Sequence, residues 1–204
     1  MRPKSILLRS YDWENDNSGG WEPWGDEALR AREDTAAALI SSDPEAAMAE
    51  LHILSEEGSI FADRWLGYCY QGLTTKYHDL ERAEHHLYKA QMAGSWPASV
   101  ELSKLLFEEK INDKWEAILE DGHQQGFIPS TFWLARFRYM QSKTRATAMQ
   151  VRPLLEKAAD AGHPAARLML AQLKGRGMFG IRAIPQGFRE VNALYDEFGA
   201  EPIS

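Results

Sequence analysis

Gly175-x-Gly177-x-x-Gly180 matches the glycine pattern that cradles a dinucleotide pyrophosphate. That chemistry needs a strand before the loop and a helix after it, so that phosphate meets a helix N-terminus. Here the preceding residues follow a helical period, and the glycines read as a loop between helices. Asp12, Glu14, Asp16 and Ser18 alternate like the start of a calcium loop. Such a loop wants glycine at its sixth position and glutamate at its twelfth, where this chain has Asn17 and Pro23. A solvated acidic turn is the better reading. The histidines are His52, His78, His85, His86, His123 and His163, and no two stand four apart to offer a metal paired imidazoles on one helix face. His163 follows a helix-ending glycine and fits the start of a helix. Cys69 is the single cysteine, which excludes an intramolecular disulfide; it falls in an apolar column and reads as a small buried hydrophobe. No Gly-x-Ser-x-Gly elbow occurs. These residues predict no catalytic, metal or cofactor site, and the chain is not expected to be an enzyme.

The elements that position side chains here are repeats. The chain has 204 residues, 44% of them hydrophobic, enough for one domain or one short solenoid. Glycines follow helix-like segments at Gly58, Gly94, Gly126, Gly162 and Gly199, at spacings of 36, 32, 36 and 37. Glycine suits the left-handed position just past a helix end. Pro97, Pro129, Pro164 and Pro202 follow two or three residues later, in the first turn of the next helix. In the helix after each of the first four glycines, one face carries Leu66, Leu102, Leu134 and Leu170. Beside it stand the small residues Gly67, Ser103, Ala135 and Ala171, and three residues beyond each leucine stand Cys69, Leu105, Phe137 and Leu173. In the helix before each glycine the face is Leu51, Leu87, Leu119 and Leu155, with Leu54, Ala90, Gly122 and Ala158. Gly122 weakens the third of these helices. A fifth unit places Val191 and Leu194 after a one-residue shift.

These columns resemble the Sel1-like repeat family, relatives of the tetratricopeptide repeats. The best match is Ala62-x-x-x-Leu66-Gly67-x-x-Tyr70-x-Gly72, followed by Asp79, Ala83, Tyr88, Lys89-Ala90 and Ala93-Gly94. A second is Ala158-Ala159-Asp160-Ala161-Gly162-His163-Pro164-Ala165. The Tyr70 column departs from the pattern at Leu106, Arg138 and Lys174, and the third unit is short. The resemblance covers residues 43–199. It implies an all-α fold, a right-handed α-solenoid of antiparallel helix pairs in about four to five repeats, whose concave face, lined by the first helix of each pair, binds protein partners. The expected organisation is an irregular Trp-rich segment over 1–24 and a helical-repeat domain over 25–204, with helix from Asp26 to Ile40 and a new one starting at Asp43-Pro44. Trp13, Trp21 and Trp24 either cap the first repeat or form a binding element, since a solenoid end must be covered.

Columns that vary beside the constant faces are candidates for partner contact. Trp65, Glu101 and Trp133 occupy one, and Tyr68, Lys104 and Arg136 another. Tyr68, Lys104 and Arg136 are expected to be exposed; Trp65 and Trp133 either face a partner or fill the groove between repeats. Aromatic and arginine side chains are the usual anchors of interfaces. Arg138, Lys174 and Arg176 join them from a basic segment. Residues 132–182 carry 10 Lys/Arg against 2 Asp/Glu, whereas residues 1–131 carry 12 against 24. That polarity is either ordinary solvation of helix faces or a patch for an acidic partner surface or a phosphate. No apolar run reaches the roughly 20 residues a bilayer span needs. The apolar Ile6-Leu7-Leu8 after Arg2 and Lys4 is too short for a secretory signal. No membrane partner and a cytoplasmic location are therefore expected. The leading expectation is an adaptor for a protein partner. A bacterial immunity protein that masks a toxin is a narrower alternative. A nucleic-acid or phosphate module over 132–182 is a weaker one, opposed by the acidic first half.

Overall fold

The structure, a computed structural model, describes residues 10, 13–14, 20–21, 27–73, 77–109 and 113–198. Gly199, Pro202, Pro23, Trp24, Asp12, Asp16, Asn17 and Ser18, on which sequence expectations fell, lie outside them. Every regular element among the described residues is helical, and none is a strand. The helices are α1 (Glu27–Leu39), α2 (Pro44–Glu56), α3 (Ile60–Tyr68), α4 (Leu80–Met92), α5 (Trp96–Glu108), α6 (Lys114–Gln125), α7 (Ile128–Ser142), α8 (Arg145–Asp160), α9 (Pro164–Gly175) and α10 (Ile184–Phe198). A π turn, Cys69–Leu73, closes α3, and a 3-10 turn, Ile181–Ala183, precedes α10. The chain divides into two compact units, here called N (18–118) and C (119–204 with 1–17). In the N unit α1 packs on α2, α2 on α3, α3 on α4, and α4 on α5. In the C unit α7 packs on α8, α8 on α9, and α9 on α10.

One local device recurs at the joints. Gly58, Gly94, Gly126 and Gly162 all sit at φ between +91° and +97°. The residue after each glycine reaches back five residues to a helix carbonyl: Ser59 N–H to Leu54, Ser95 to Ala90, Phe127 to Gly122, and His163 to Ala158. This caps the ending helix. Three of the same four residues also cap the helix that begins. Ser59 and Ser95 accept through Oγ from the amides of Ala62 and Ala98, and His163 accepts through Nδ1 from Ala166. A side-chain acceptor at this position satisfies an otherwise orphaned amide. Phe127 supplies no such bond and is buried instead.

The predicted columns form the core. Leu51, Leu54, Leu66, Leu87, Leu102, Leu119, Leu134 and Leu155 are each at most 1% exposed. Cys69, Leu105, Phe137 and Leu173 are buried too, while Leu170 is only half-buried. Helix α6 runs unbroken through a buried Gly122. The small column has a steric purpose: a Cβ on Gly67 would stand 2.4 Å from Cγ of Leu87, so α4 approaches α3 only because the side chain is absent. A tighter approach joins α9 to α10, where a Cβ on Gly187 would lie 2.1 Å from the backbone nitrogen of Gly175. Gly175, the first glycine of the dinucleotide-like pattern, ends α9, and Gly177 and Gly180 lie in the connection that follows, both with positive φ. No described helix is long and apolar enough to cross a membrane.

Candidate functional site

In the N unit, α3 and α5 bring Trp65, Tyr68, Glu101 and Lys104 together. Trp65 and Tyr68 meet edge to face, with ring centroids 5.7 Å apart. Burial, with the negative charge of Glu101 nearby, raises the Tyr68 phenol above its ordinary value. Lys104 was expected to be exposed and is not: it is 4% exposed, with Nζ 2.7 Å from Oε1 of Glu101. A buried lysine keeps its charge only with such partners. Tyr68, at 37%, is exposed as expected. The guanidinium of Arg64 lies over the Trp65 ring, 5.3 Å from its centroid. The Trp65 indole N–H is buried and finds no acceptor among the described residues.

In the C unit, Trp133 of α7 is buried, and Arg136 lies over its ring at 5.4 Å while remaining half-exposed. The Trp133 indole Nε1 donates to Oε1 of Glu14 at 3.0 Å. The same oxygen lies 3.0 Å from Nε2 of His163, which is fully buried. His163 Nδ1 already accepts from the Ala166 amide, so the ring proton sits on Nε2 and points at Glu14. Phe132 stacks on the imidazole at 4.4 Å, and Trp13 packs against it at 5.0 Å. Trp13 and Glu14 thus seat against α7 and the start of α9 within the C unit. Trp21, in the N unit, lends its carbonyl to the amide of Trp96.

The other candidates are engaged or open in different ways. Arg138 Nη2 meets Glu120 at 2.8 Å. Lys174 Nζ meets both carboxylate oxygens of Glu190, at 2.8 and 2.9 Å, beside an open cavity of about 290 Å³ that Arg167 and Leu170 also line. Arg176, just past α9, is exposed, as are Lys143, Arg145 and Arg182. The positive charge of the basic segment is therefore partly neutralised by local carboxylates.

A polar network that sequence reasoning missed lies across α2, α3 and α4. The Asp63 carboxylate is almost completely buried; it accepts from Ser55 Oγ at 2.7 Å and His86 Nδ1 at 2.9 Å, and pairs with Lys89 Nζ at 2.8 Å. Burial pushes its pKa up, but the hydrogen bonds from His86, Lys89 and Ser55 outweigh burial and hold it below the ordinary value. His86 stacks on Tyr70, whose hydroxyl lies 2.9 Å from His52 Nε2. Burial, with the positive Arg82 and neighbouring His86, lowers the His52 imidazole. The available signal was the three-residue spacing of His86 and Lys89, which places both on one face of α4. This network ties three consecutive helices together through charge-assisted hydrogen bonds. The burial that lifts the Cys69 thiol to about 11 leaves it a poor nucleophile.

An open groove of about 400 Å³ lies between α4, α5 and α6, with Leu102, Leu106 and Ile118 at its base and Glu81, Glu84, His85 and Tyr88 at its rim. No group of three or more potential metal ligands gathers among the described residues. No family model, curated protein or solved structure matches this chain.

Proposed function

We propose that the chain is a helical-repeat adaptor of the Sel1-like type, a right-handed solenoid of helix pairs that holds a protein partner through the first helices of its pairs, with α3 and α5 carrying the contact in the N unit and α7 and α9 in the C unit. The observation that carries this reading is the Trp65 cluster. Four residues from two variable columns and two successive repeats meet as one patch, with an exposed phenol and a paired lysine. The recurrence of the glycine turn at four joints supports the stacked arrangement. Each pair alone leaves an apolar face uncovered, and stacking covers it.

A role in phosphate or nucleic-acid binding is less well supported, because Arg138, Arg152 and Lys174 each pair with a glutamate. The two readings differ in salt dependence, since phosphate contacts release counterions and weaken steeply as salt rises. The test is capture from the source cell's lysate at low and high salt, wild type beside a Tyr68→Ala/Arg136→Glu variant of equal helicity. A protein kept by wild type at both salts and lost by the variant supports the adaptor. Nucleic acid released by salt, or equal retention by the variant, overturns it.

A further inference from the structure

The open groove of about 400 Å³ between α4, α5 and the start of α6 has a lining that lies wholly within the N unit. Its floor is apolar. Leu102 and Leu106 of α5 close the bottom, and the half-buried Ile118 of α6 stands with them. Its α4 wall carries Glu81, Glu84 and Tyr88, which share one helix face by their spacing. Tyr88 is 55% exposed, and Met92, one turn further along that face, is 69% exposed. Exposed apolar side chains gathered on one face beside a groove are the usual sign of an interaction surface.

The carboxylates at this groove are unneutralised. Glu81 and Glu84 make no hydrogen bond or ion pair with their side chains among the described residues. Elsewhere glutamates do pair: Glu57 with Arg32, Glu120 with Arg138 and Glu190 with Lys174. Glu109 follows Leu102 and Leu106 by seven and three residues, which puts it on the face of α5 that floors the groove, and its carboxylate is unpaired too. A negative charge at the end of α5 opposes the helix dipole, so the stability of that helix does not account for it. Lys114 is the lysine of the lining, set against Glu81 and Glu84. The N unit as a whole carries 9 Lys/Arg and 19 Asp/Glu.

We infer that this groove docks a basic amphipathic helix of a partner protein. Its large aliphatic side chains lie over Leu102, Leu106 and Ile118 and against the Tyr88 ring, and its lysines or arginines meet Glu81, Glu84 and Glu109. Charge complementarity selects a basic segment over an acidic one. The apolar floor selects an amphipathic segment over a bare polycation, which would gain nothing from it. A groove walled by helices takes the apolar stripe of a further helix. The surface goes beyond the adaptor contact proposed above and does not rest on it, since α4 and α6 are second helices of their pairs.

The probe is a fluorescein-labelled helical peptide with leucine at every third or fourth position and arginine or alanine elsewhere. One control peptide has asparagine for each leucine, which keeps the charge; another has glutamate for each arginine, which keeps the apolar stripe. All are titrated into the full chain, its Tyr88→Ala and Glu81→Lys/Glu84→Lys variants, and a Glu27→Lys/Asp34→Lys variant that makes the same charge change on α1. Helicity is checked by circular dichroism throughout. Wild type is expected to bind the leucine-arginine peptide at least about tenfold more tightly than either control, the difference that one buried anchor makes. Tyr88→Ala and Glu81→Lys/Glu84→Lys are each expected to weaken it about tenfold, and the α1 variant less than about threefold. Rising salt should weaken binding without removing the preference for leucine. Absence of binding overturns the proposal, as does equal binding of the asparagine peptide. Equal weakening by the α1 variant also overturns it, because the attraction would then belong to the net charge and not to the groove. If the chain alone forms dimers in sedimentation that Glu81→Lys/Glu84→Lys dissolves, a second copy is the occupant and the partner helix is not.

Discussion

Glu14 accepts a hydrogen bond at 3.0 Å from the indole of Trp133, a residue 119 positions away, and its same oxygen lies within hydrogen-bond distance of buried His163. Two buried donors converge on one carboxylate, so its removal takes this acceptor from both. Glu14→Ala is expected to destabilise the C unit by about 2–4 kcal/mol, each unmet donor costing about 1–3 with some relaxation. Thermal melts followed by tryptophan fluorescence check this. An unchanged midpoint would mean that the contact carries no weight.

Gly187 and Gly67 predict an ordered pair of costs. A methyl at Gly187 meets backbone atoms of Gly175 and Ala171, which cannot move without separating α9 from α10. A methyl at Gly67 meets the Leu87 side chain, which has other rotamers open to it. Gly67→Ala is expected to cost about 1–3 kcal/mol, the usual range for overpacking, and Gly187→Ala more. Urea unfolding of the two variants decides the order.

Leu102 is 1% exposed in the constant face of α5. Leu102→Asp places an unpaired charge there and is expected to unfold the N unit at room temperature, read as lost helicity by circular dichroism. A variant that stays folded contradicts the assignment of that column to the core.

Stability is expected to fall in two stages with acid. The His52 imidazole is lowered from 6.5 by burial and by nearby positive charge, so the unfolded chain takes up this proton first. Its contribution is complete above about pH 6.5 and is lost as pH drops from there toward the lower folded value. His123, lowered chiefly by burial, adds to the same stage. For Asp63, burial raises the pKa, but hydrogen bonds from His86, Lys89 and Ser55 bring it below 3.8. Its contribution holds above that value and disappears as pH falls further. Melting temperature against pH should show a plateau, a first decline that His52→Gln reduces, and a second decline that Asp63→Asn reduces. A flat profile through the first stage in wild type contradicts the His52 assignment.

Period and punctuation made much of the fold legible. The leucine columns and the glycine turns follow from rules acting over four to seven residues, and those residues are the core and the joints. Contacts between distant residues were not legible. Glu14 meets His163 across 149 positions, and nothing in either helical period points at the other. Lys104 lies off the leucine face of its own helix, which suggested exposure; Glu101 on its own helix and Tyr68 from α3 enclose it, and a period computed on one helix omits its neighbour. Asp63 lies beside Ala62 in a helix whose own period says nothing of the donors that α2 and α4 bring to it. Gly187 inside α10 reads as a weak helix former, although backbone proximity to Gly175 is its use. Of the candidate site, the aromatic anchors were visible as types in columns, but which indole was satisfied depended on an outlying segment.

The most direct test of the adaptor is the affinity of the purified partner, once captured, for wild type and for the Tyr68→Ala/Arg136→Glu variant, measured by calorimetry on chains of matched helicity. Interface anchors of this kind each contribute about 2 kcal/mol or more, so the account predicts a stoichiometric complex weakened at least about a hundredfold in the variant. Equal affinity for both chains would contradict it.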